Sequence, residues 1–216
     1  KRMETLLHEI KEYWTTRTEG YSEVNQKELE GTQKEAWLSV LTEQFPEGDK
    51  DRIRILDVGC GPGFFPRILA EAGYWVTAVD YTPQMLKKAA ENAVISRNLT
   101  WNLEHPEQAY REWHRVLRPG GILLNFDANW YGYLYDEEKR EAYEQDRKNV
   151  ESQSLEDHYL CTDIDAMERI ARKVPLSHIT RPQWDTEVMD ETGFEETSTP
   201  MFMVTGRKNT ERLGQK

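Results

Sequence analysis

Asp57, Gly59, Gly61, Gly63 and Asp80 have the types and spacing to hold a ligand that carries an amino acid at one end and a ribose at the other. Asp57 closes the short apolar run RIRILDVG, and the glycines follow in DVGCGPGFF. Glycine takes positive φ without steric cost and lets a ligand approach the backbone closely. The helix that follows starts with N–H groups that lack intrahelical partners, and these face such a ligand. Asp80 ends the next apolar run, YWVTAVD, where a carboxylate can accept both hydroxyls of a ribose.

A dinucleotide needs a different turn. The pyrophosphate cradle is G-x-G-x-x-G, and counting from Gly59 its third glycine falls on Phe64. The spacing here is G-x-G-x-G, with an acid ahead of the first glycine. Asp57 would repel phosphates and attract an ammonium group. An NAD(P)-dependent oxidoreductase is therefore the weaker alternative.

These residues need strands that end together and helices that start beside them. RIRILDVG, YWVTAVD, VISRNL and ILLNFDANW are short apolar runs of the kind found in buried parallel strands. GPGFFPRILAEAG, TPQMLKKAAENA and HPEQAYREWHRVLRPGG have helical period, with Thr82 as an N-cap and Pro83 at the first helical position. Strands alternating with such helices predict a mostly parallel α/β sheet with helices on both faces. METLLHEIKEYWT predicts a first helix, TEGYSEVN a break, and residues 26–45 a second helix. Residues 136–173 are mostly helical and strongly charged. GFEET and MFMVTGRK predict a closing antiparallel pair.

The 216 residues suit one domain, 1–216. Residues 1–50 form a helical lead-in and residues 132–182 a helical insertion or cap. Lys plus Arg total 28 against 39 Asp plus Glu, a net charge of −11, and there is no basic patch; such a surface repels a phosphate backbone, so we expect no nucleic-acid partner. Seven Trp and ten Tyr argue against disorder. Two cysteines, Cys60 and Cys161, show no metal spacing or disulfide framework. We expect no metal, no membrane span and no signal peptide, and a reducing, cytoplasmic setting. The opening Lys1-Arg2-Met3 suits a piece of a longer chain. A homodimer stays open.

LDVGCGPGFF, VTAVDYTPQML and LEHPEQAYREWHRVLRPGGILL together resemble the class I S-adenosylmethionine-dependent methyltransferases. The likeness is to the small-molecule branch that includes the ubiquinone and menaquinone biosynthesis methyltransferases, and it covers roughly residues 10–130. It implies a Rossmann-like, doubly wound, mostly parallel sheet with an antiparallel closing strand, and S-adenosyl-L-methionine as cofactor. Asp57 and the loop Gly59, Cys60, Gly61 and Gly63 would hold the methionine end, and Asp80 the ribose. Tyr81 and Met85 would flank the adenine, and Asn98 would face the cofactor. The aromatic-rich EYWTTRTEGYSEV resembles the family's lead-in that closes over the cofactor, with Tyr13, Trp14, Arg17 and above all Tyr21 as candidates.

In open α/β sheets the acceptor binds outside the carboxyl ends of the strands. Those ends carry Arg97, Asn98, Trp101 and Asn102, then Asp127, Asn129, Trp130 and Tyr131. Trp101, Asn129, Trp130 and Tyr131 are the candidate acceptor wall, whose aromatic faces also favour cations. Arg181 could anchor a substrate carboxylate. A hydroxyl acceptor would need a base, and Asp127, His105 and His158 are available. His105, just before Pro106, reads as a helix cap, which leaves Asp127 and His158 as catalytic candidates. A non-catalytic S-adenosylmethionine-binding protein is a further alternative.

AAENAVISRNLTW poses a separate question, because a helix ending at Ala93 meets a strand starting at Val94 with no turn between them. In the family a whole strand intervenes, usually ending in the acid that binds the adenine amine. Helix and strand lie in different layers, and even the shortest return takes about 2–6 residues. We therefore expect ~25–30 residues to be missing between Ala93 and Val94, a gap in the sheet, and two separated chain ends there.

Overall fold

The computed structural model describes residues 2–80, 91–153, 163–199 and 203–209. Its helices are α1 (Arg2–Glu30), α2 (Gln33–Thr42), α3 (Phe64–Glu71), α4 (Pro106–Val116), α5 (Glu137–Gln153), α6 (Ile164–Ala171) and α7 (Gln183–Thr192). The strands are β1 (Arg54–Val58), β2 (Trp75–Val79), β3 (Glu91–Arg97), β4 (Leu117–Phe126), β5 (Phe194–Ser198) and β6 (Met203–Lys208). They form one sheet in the order β2-β1-β3-β4-β6-β5. The first four strands run parallel, and β6 and β5 close the sheet antiparallel. This is the doubly wound α/β fold expected from the sequence.

Alternation along the strands assigns the two faces. Ile55, Ala93, Ile95, Ile122, Leu124 and Phe126 turn toward Leu41 of α2 and Phe64, Phe65, Ile68 and Leu69 of α3. Leu56, Val94 and Leu123 turn the other way, toward Tyr110, Trp113 and Val116 of α4 and Val188 and Met189 of α7. Each fully buried Leu or Ile contributes about 1.5–3 kcal/mol. A third cluster joins Ile10 and Tyr13 of α1 to Trp101, Tyr133, Leu134 and Met167, Ile170 and Ala171 of α6. It ties the lead-in to the 132–182 segment.

Two expectations are corrected. The expected break at TEGYSEVN is absent, and α1 runs unbroken through it. Ala93 and Val94 are consecutive residues of β3, registered on Ile122 and Leu123. β3 includes Glu91 and Asn92, with Glu91 registered on Leu117 of β4, and Arg54 of β1 reaches across to both. The Asn92 Oδ1 accepts the Arg54 N–H at 3.0 Å, and the Glu91 carboxylate pairs with the Arg54 guanidinium at 3.4 Å. No gap opens either, because β1 pairs directly with both β2 and β3. Among the described residues β2 and β5 are the two edges of the sheet.

Candidate functional site

β1 and β2 end side by side, and the chain leaves β1 through the glycine turn. Gly59, Gly61 and Gly63 all have positive φ, of 75°, 47° and 92°. The need for glycine is sharpest at Gly59, where an added Cβ would lie 2.9 Å from the Leu99 side chain. The turn is pinned to β2. Gly59 N–H donates to Val79 O at 2.8 Å, and Gly61 N–H donates to Asp80 Oδ2 at 3.1 Å. α3 then starts at Phe64 directly after Gly63.

Beside this turn lies an open cleft lined by Tyr21, Asn25, Asp57, Gly59, Cys60, Phe64, Phe65 and Arg97. Asp57 is 2% exposed. Burial, and then the neighbouring Asp80, push its pKa up to about 7, against the lowering effect of Arg97. A carboxylate there is only partly ionised near neutral pH, and a bound cation favours its ionised form. The Cys60 thiol is pushed up to about 11 by burial and by Asp57 and Asp80, so it stays protonated and is no nucleophile.

Arg97 adds a cation to this cleft. Its guanidinium donates to both Glu28 oxygens, at 3.0 and 2.5 Å, and stands 4.9 Å from the Trp37 ring and 5.5 Å from that of Phe64. The pair ties α1 to the end of β3. Asn98 follows with φ 56°, a conformation Asn tolerates better than most residues. Its N–H donates to Phe126 O at 2.9 Å, and its Nδ2 lies 3.5 Å from Tyr21 Oη. Tyr21, Asp57, Gly59, Cys60 and Gly61 thus come together, with Gly63 and Asp80 framing the turn and Asn98 adjoining through Tyr21. Tyr81, Met85 and His158 lie outside the described residues. Asn25 was hidden because it falls where a break was expected, and Glu28, in the expected second helix, because its partner Arg97 is distant in sequence. Arg97 was visible as a strand-end residue, but its partner on α1 was not.

The acceptor side differs from expectation in three places. Arg181 is not an open carboxylate anchor. Its side chain is 3% exposed and bonds Asp185 through Nε at 2.8 Å and Nη2 at 2.6 Å, while Nη1 pairs with Asp127 at 3.1 Å. Asp127 is not a free base. Its Oδ2 accepts the Trp101 N–H at 2.7 Å, and its Oδ1 accepts the Ala128 N–H at 2.8 Å and the Trp130 indole N–H at 3.0 Å. Burial raises its pKa, although Arg181 opposes the rise. Trp101 is 5% exposed and belongs to the third core cluster, so it presents little surface to an acceptor. Its ring lies 4.8 Å from that of Tyr131. Trp130 is 50% exposed. Asn129 is half-buried and donates to Ile179 O at 3.3 Å. His105 caps α4 by position, but its side chain makes no capping bond.

Residues 55–103 match a family model described as a methyltransferase domain, and residues 92–125 match a second one of the same description. A malonyl-[acyl-carrier protein] O-methyltransferase of Erwinia pyrifoliae is 32% identical over 94 residues, which is 33% of this chain and 36% of that protein. A trans-aconitate 2-methyltransferase of Streptomyces avermitilis is 44% identical over 57 residues, 24% of this chain and 20% of that protein. A glycine/sarcosine N-methyltransferase of Aphanothece halophytica is 35% identical over 92 residues, 40% and 32% of the two chains. The chain thus spans about a third of the length of the curated relatives it matches. Among solved structures, a SAM-dependent methyltransferase from Thermotoga maritima covers 92% of this chain and is itself covered fully, with TM-score 0.51 at 16% identity. A chain of the complex between the Haloferax volcanii Trm112 methyltransferase activator and a methyltransferase has TM-score 0.53 at 14% identity, covering 91% of this chain and 97% of that one. Those two likenesses concern the fold. Among the described residues no helix is long and apolar enough to cross a membrane.

Proposed function

We propose that this protein, a member of the class I S-adenosylmethionine-dependent methyltransferases, moves a methyl group from S-adenosylmethionine to a small-molecule acceptor by direct in-line transfer. One observation carries the reading: Asp57 is buried beside a cleft, next to Asp80 and the glycine turn, with its pKa raised to about 7. The residues present fit the cofactor. Asp57 suits its ammonium group and Asp80 its ribose hydroxyls. Phe64, 3% exposed, stands where a dinucleotide cradle needs glycine, which speaks against a nicotinamide cofactor.

When bound, the cofactor supplies a methyl group on a sulfonium, a good leaving group. The protein's share is then binding and orientation, which can supply roughly 7–11 kcal/mol of a barrier. Asp57 fixes the ammonium, the turn presents backbone to the ligand, and Tyr21 closes the cleft from α1. The single domain 1–216 carries its lead-in, 1–50, and its 132–182 segment as a cap over the carboxyl ends of the strands. Trp130, Tyr131 and Asn129 form the acceptor wall in this reading. Asp127 is fully bonded and so is no free base beside that wall; an amine, a thiol or an activated carbon would need little acid–base help from the protein.

The test is transfer from S-adenosylmethionine carrying a labelled methyl group into a broad metabolite extract, with calorimetry for cofactor binding. Labelled small molecules are the expected result. Cofactor binding without labelling would favour a non-catalytic binding protein. Saturable NAD(H) binding without S-adenosylmethionine binding would favour an oxidoreductase.

A further inference from the structure

A closed circuit of buried side chains lies beneath the carboxyl ends of β3 and β4. Thr100 Oγ1 donates to Asn125 Oδ1 at 2.9 Å, and Asn125 Nδ2 donates to Tyr110 Oη at 2.9 Å. Tyr110 Oη donates to Asp185 Oδ1 at 2.6 Å. Asp185 receives the Arg181 fork, and Arg181 pairs with Asp127 at 3.1 Å. Asp127 accepts the backbone N–H of Trp101, the residue after Thr100, and the circuit closes through that peptide. Thr100, Tyr110, Asn125 and Asp185 are each 0% exposed. Burial and Asp185 hold the Tyr110 hydroxyl far above its usual pKa, so it remains a donor at any physiological pH.

The circuit reaches the rim through Asp127. Asp127 Oδ1 holds the indole N–H of Trp130, the 50% exposed ring at the rim. With its N–H turned inward, Trp130 shows an acceptor its aromatic face and edge, and no hydrogen-bond donor. A fold that needed only stability here would do as well with apolar side chains, since buried ion pairs contribute little net stability. Such circuits fix geometry when every member is satisfied.

We propose that Arg181 and Tyr110 are positioning residues for the acceptor. They hold Asp127 in the orientation in which one carboxylate oxygen accepts the Trp101 N–H and the other the Trp130 indole N–H, and neither touches the acceptor. The proposal rests on the methyltransferase reading, and its first readout is independent of it.

The experiment uses three variants of the whole chain labelled with 15N at tryptophan. Trp130→Phe assigns the Trp130 indole resonance. Tyr110→Phe removes one buried hydroxyl and keeps the ring. Arg181→Lys serves as a second variant should Tyr110→Phe fail to fold. We expect Tyr110→Phe to shift the Trp130 indole N–H resonance and to leave S-adenosylhomocysteine affinity within about twofold. We expect it to raise severalfold the extract concentration that gives half-maximal labelled methyl transfer. A purely structural role would lower the melting temperature and leave the indole resonance and the half-maximal extract concentration of the folded protein unchanged, which overturns the proposal. Equal losses of cofactor affinity and transfer overturn it as well. If the unaltered protein binds cofactor and labels nothing, the methyltransferase reading fails, and the indole resonance still decides whether the circuit sets Trp130.

Discussion

Asp57 and Asp80 face one another across the glycine turn with opposite surroundings. Asp57 is buried and titrates near 7, while Asp80 is exposed and accepts the Gly61 N–H at 3.1 Å. The buried member has its folded pKa above its ordinary value of 3.8. The folded state therefore binds more protons between about pH 4 and 7, and stability falls as pH rises through that window.

Ligand binding runs in the opposite direction. An ammonium ligand needs the ionised carboxylate, so affinity for S-adenosylmethionine should rise with pH. A site with pKa about 7 is roughly a tenth ionised at pH 6 and nine-tenths ionised at pH 8. Calorimetry should find about tenfold tighter binding at pH 8. Asp57→Asn should bind weakly with no such slope, and should melt higher than the unaltered protein at pH 8. A flat profile in the unaltered protein would sink the assignment of Asp57 to the ammonium.

The Gly59 and Gly61 positions should respond differently to the same change. Alanine at 59 meets the Leu99 side chain at 2.9 Å in a left-handed conformation, whereas at 61 the nearest group is the Tyr21 ring at 3.7 Å. Gly59→Ala should cost about 1–3 kcal/mol of stability and most of the cofactor affinity. Gly61→Ala should do less of both. Thermal melts and cofactor titrations of the two variants check the order, and equal effects would show that Leu99 does not crowd the turn.

Arg97 and Glu28 give a test of how α1 is held. The pair is largely buried, with side-chain exposures of 22% and 11%, and the guanidinium also rests on Trp37, Phe64 and Phe65. Glu28→Ala should cost about 1.5–3 kcal/mol, the usual range for bonds to charged groups, and should speed proteolysis within α1. The aromatic contacts remain, so α1 should loosen without the whole chain unfolding. An unchanged cleavage rate in α1 would mean that the aromatic contacts alone secure it.

How much of this was legible in the sequence depends on the range of the interactions involved. The glycine turn, Asp57 and Asp80 were readable because the strand, turn and helix that place them are contiguous. Helices on both faces of the sheet followed from apolar runs that alternate with helical segments. Residues 91–93 were misread as helix, because the pairing that makes them strand comes from β4 and β1, distant in sequence, with Arg54 bonding the Glu91 and Asn92 side chains. Asn25 and Glu28 were missed for a related reason: Asn25 ends polar TEGYSEVN, which reads as a loop, and the partner of Glu28 is Arg97, 69 residues away. Arg181 was placed near the acceptor side, but its role could not be read. Only the fold brings Asp127 and Asp185 to either side of it.

That arrangement leads to a last prediction. Arg181 is a single buried cation between two buried carboxylates, with side-chain exposures of 3%, 1% and 0% for Arg181, Asp127 and Asp185. Replacing it with methionine keeps the bulk and strands both acids, so Arg181→Met should cost about 3–5 kcal/mol, the range for breaking a buried pair on one side. Asp185→Asn alone should cost less, because Tyr110 and the guanidinium can still meet the amide oxygen. Adding Asp127→Asn and Asp185→Asn to Arg181→Met should recover part of the loss, since no uncompensated charge then stays buried. Denaturant melts of the single and triple variants measure the coupling. If the triple variant is as unstable as the sum of its parts, the three groups do not act as one electrostatic unit.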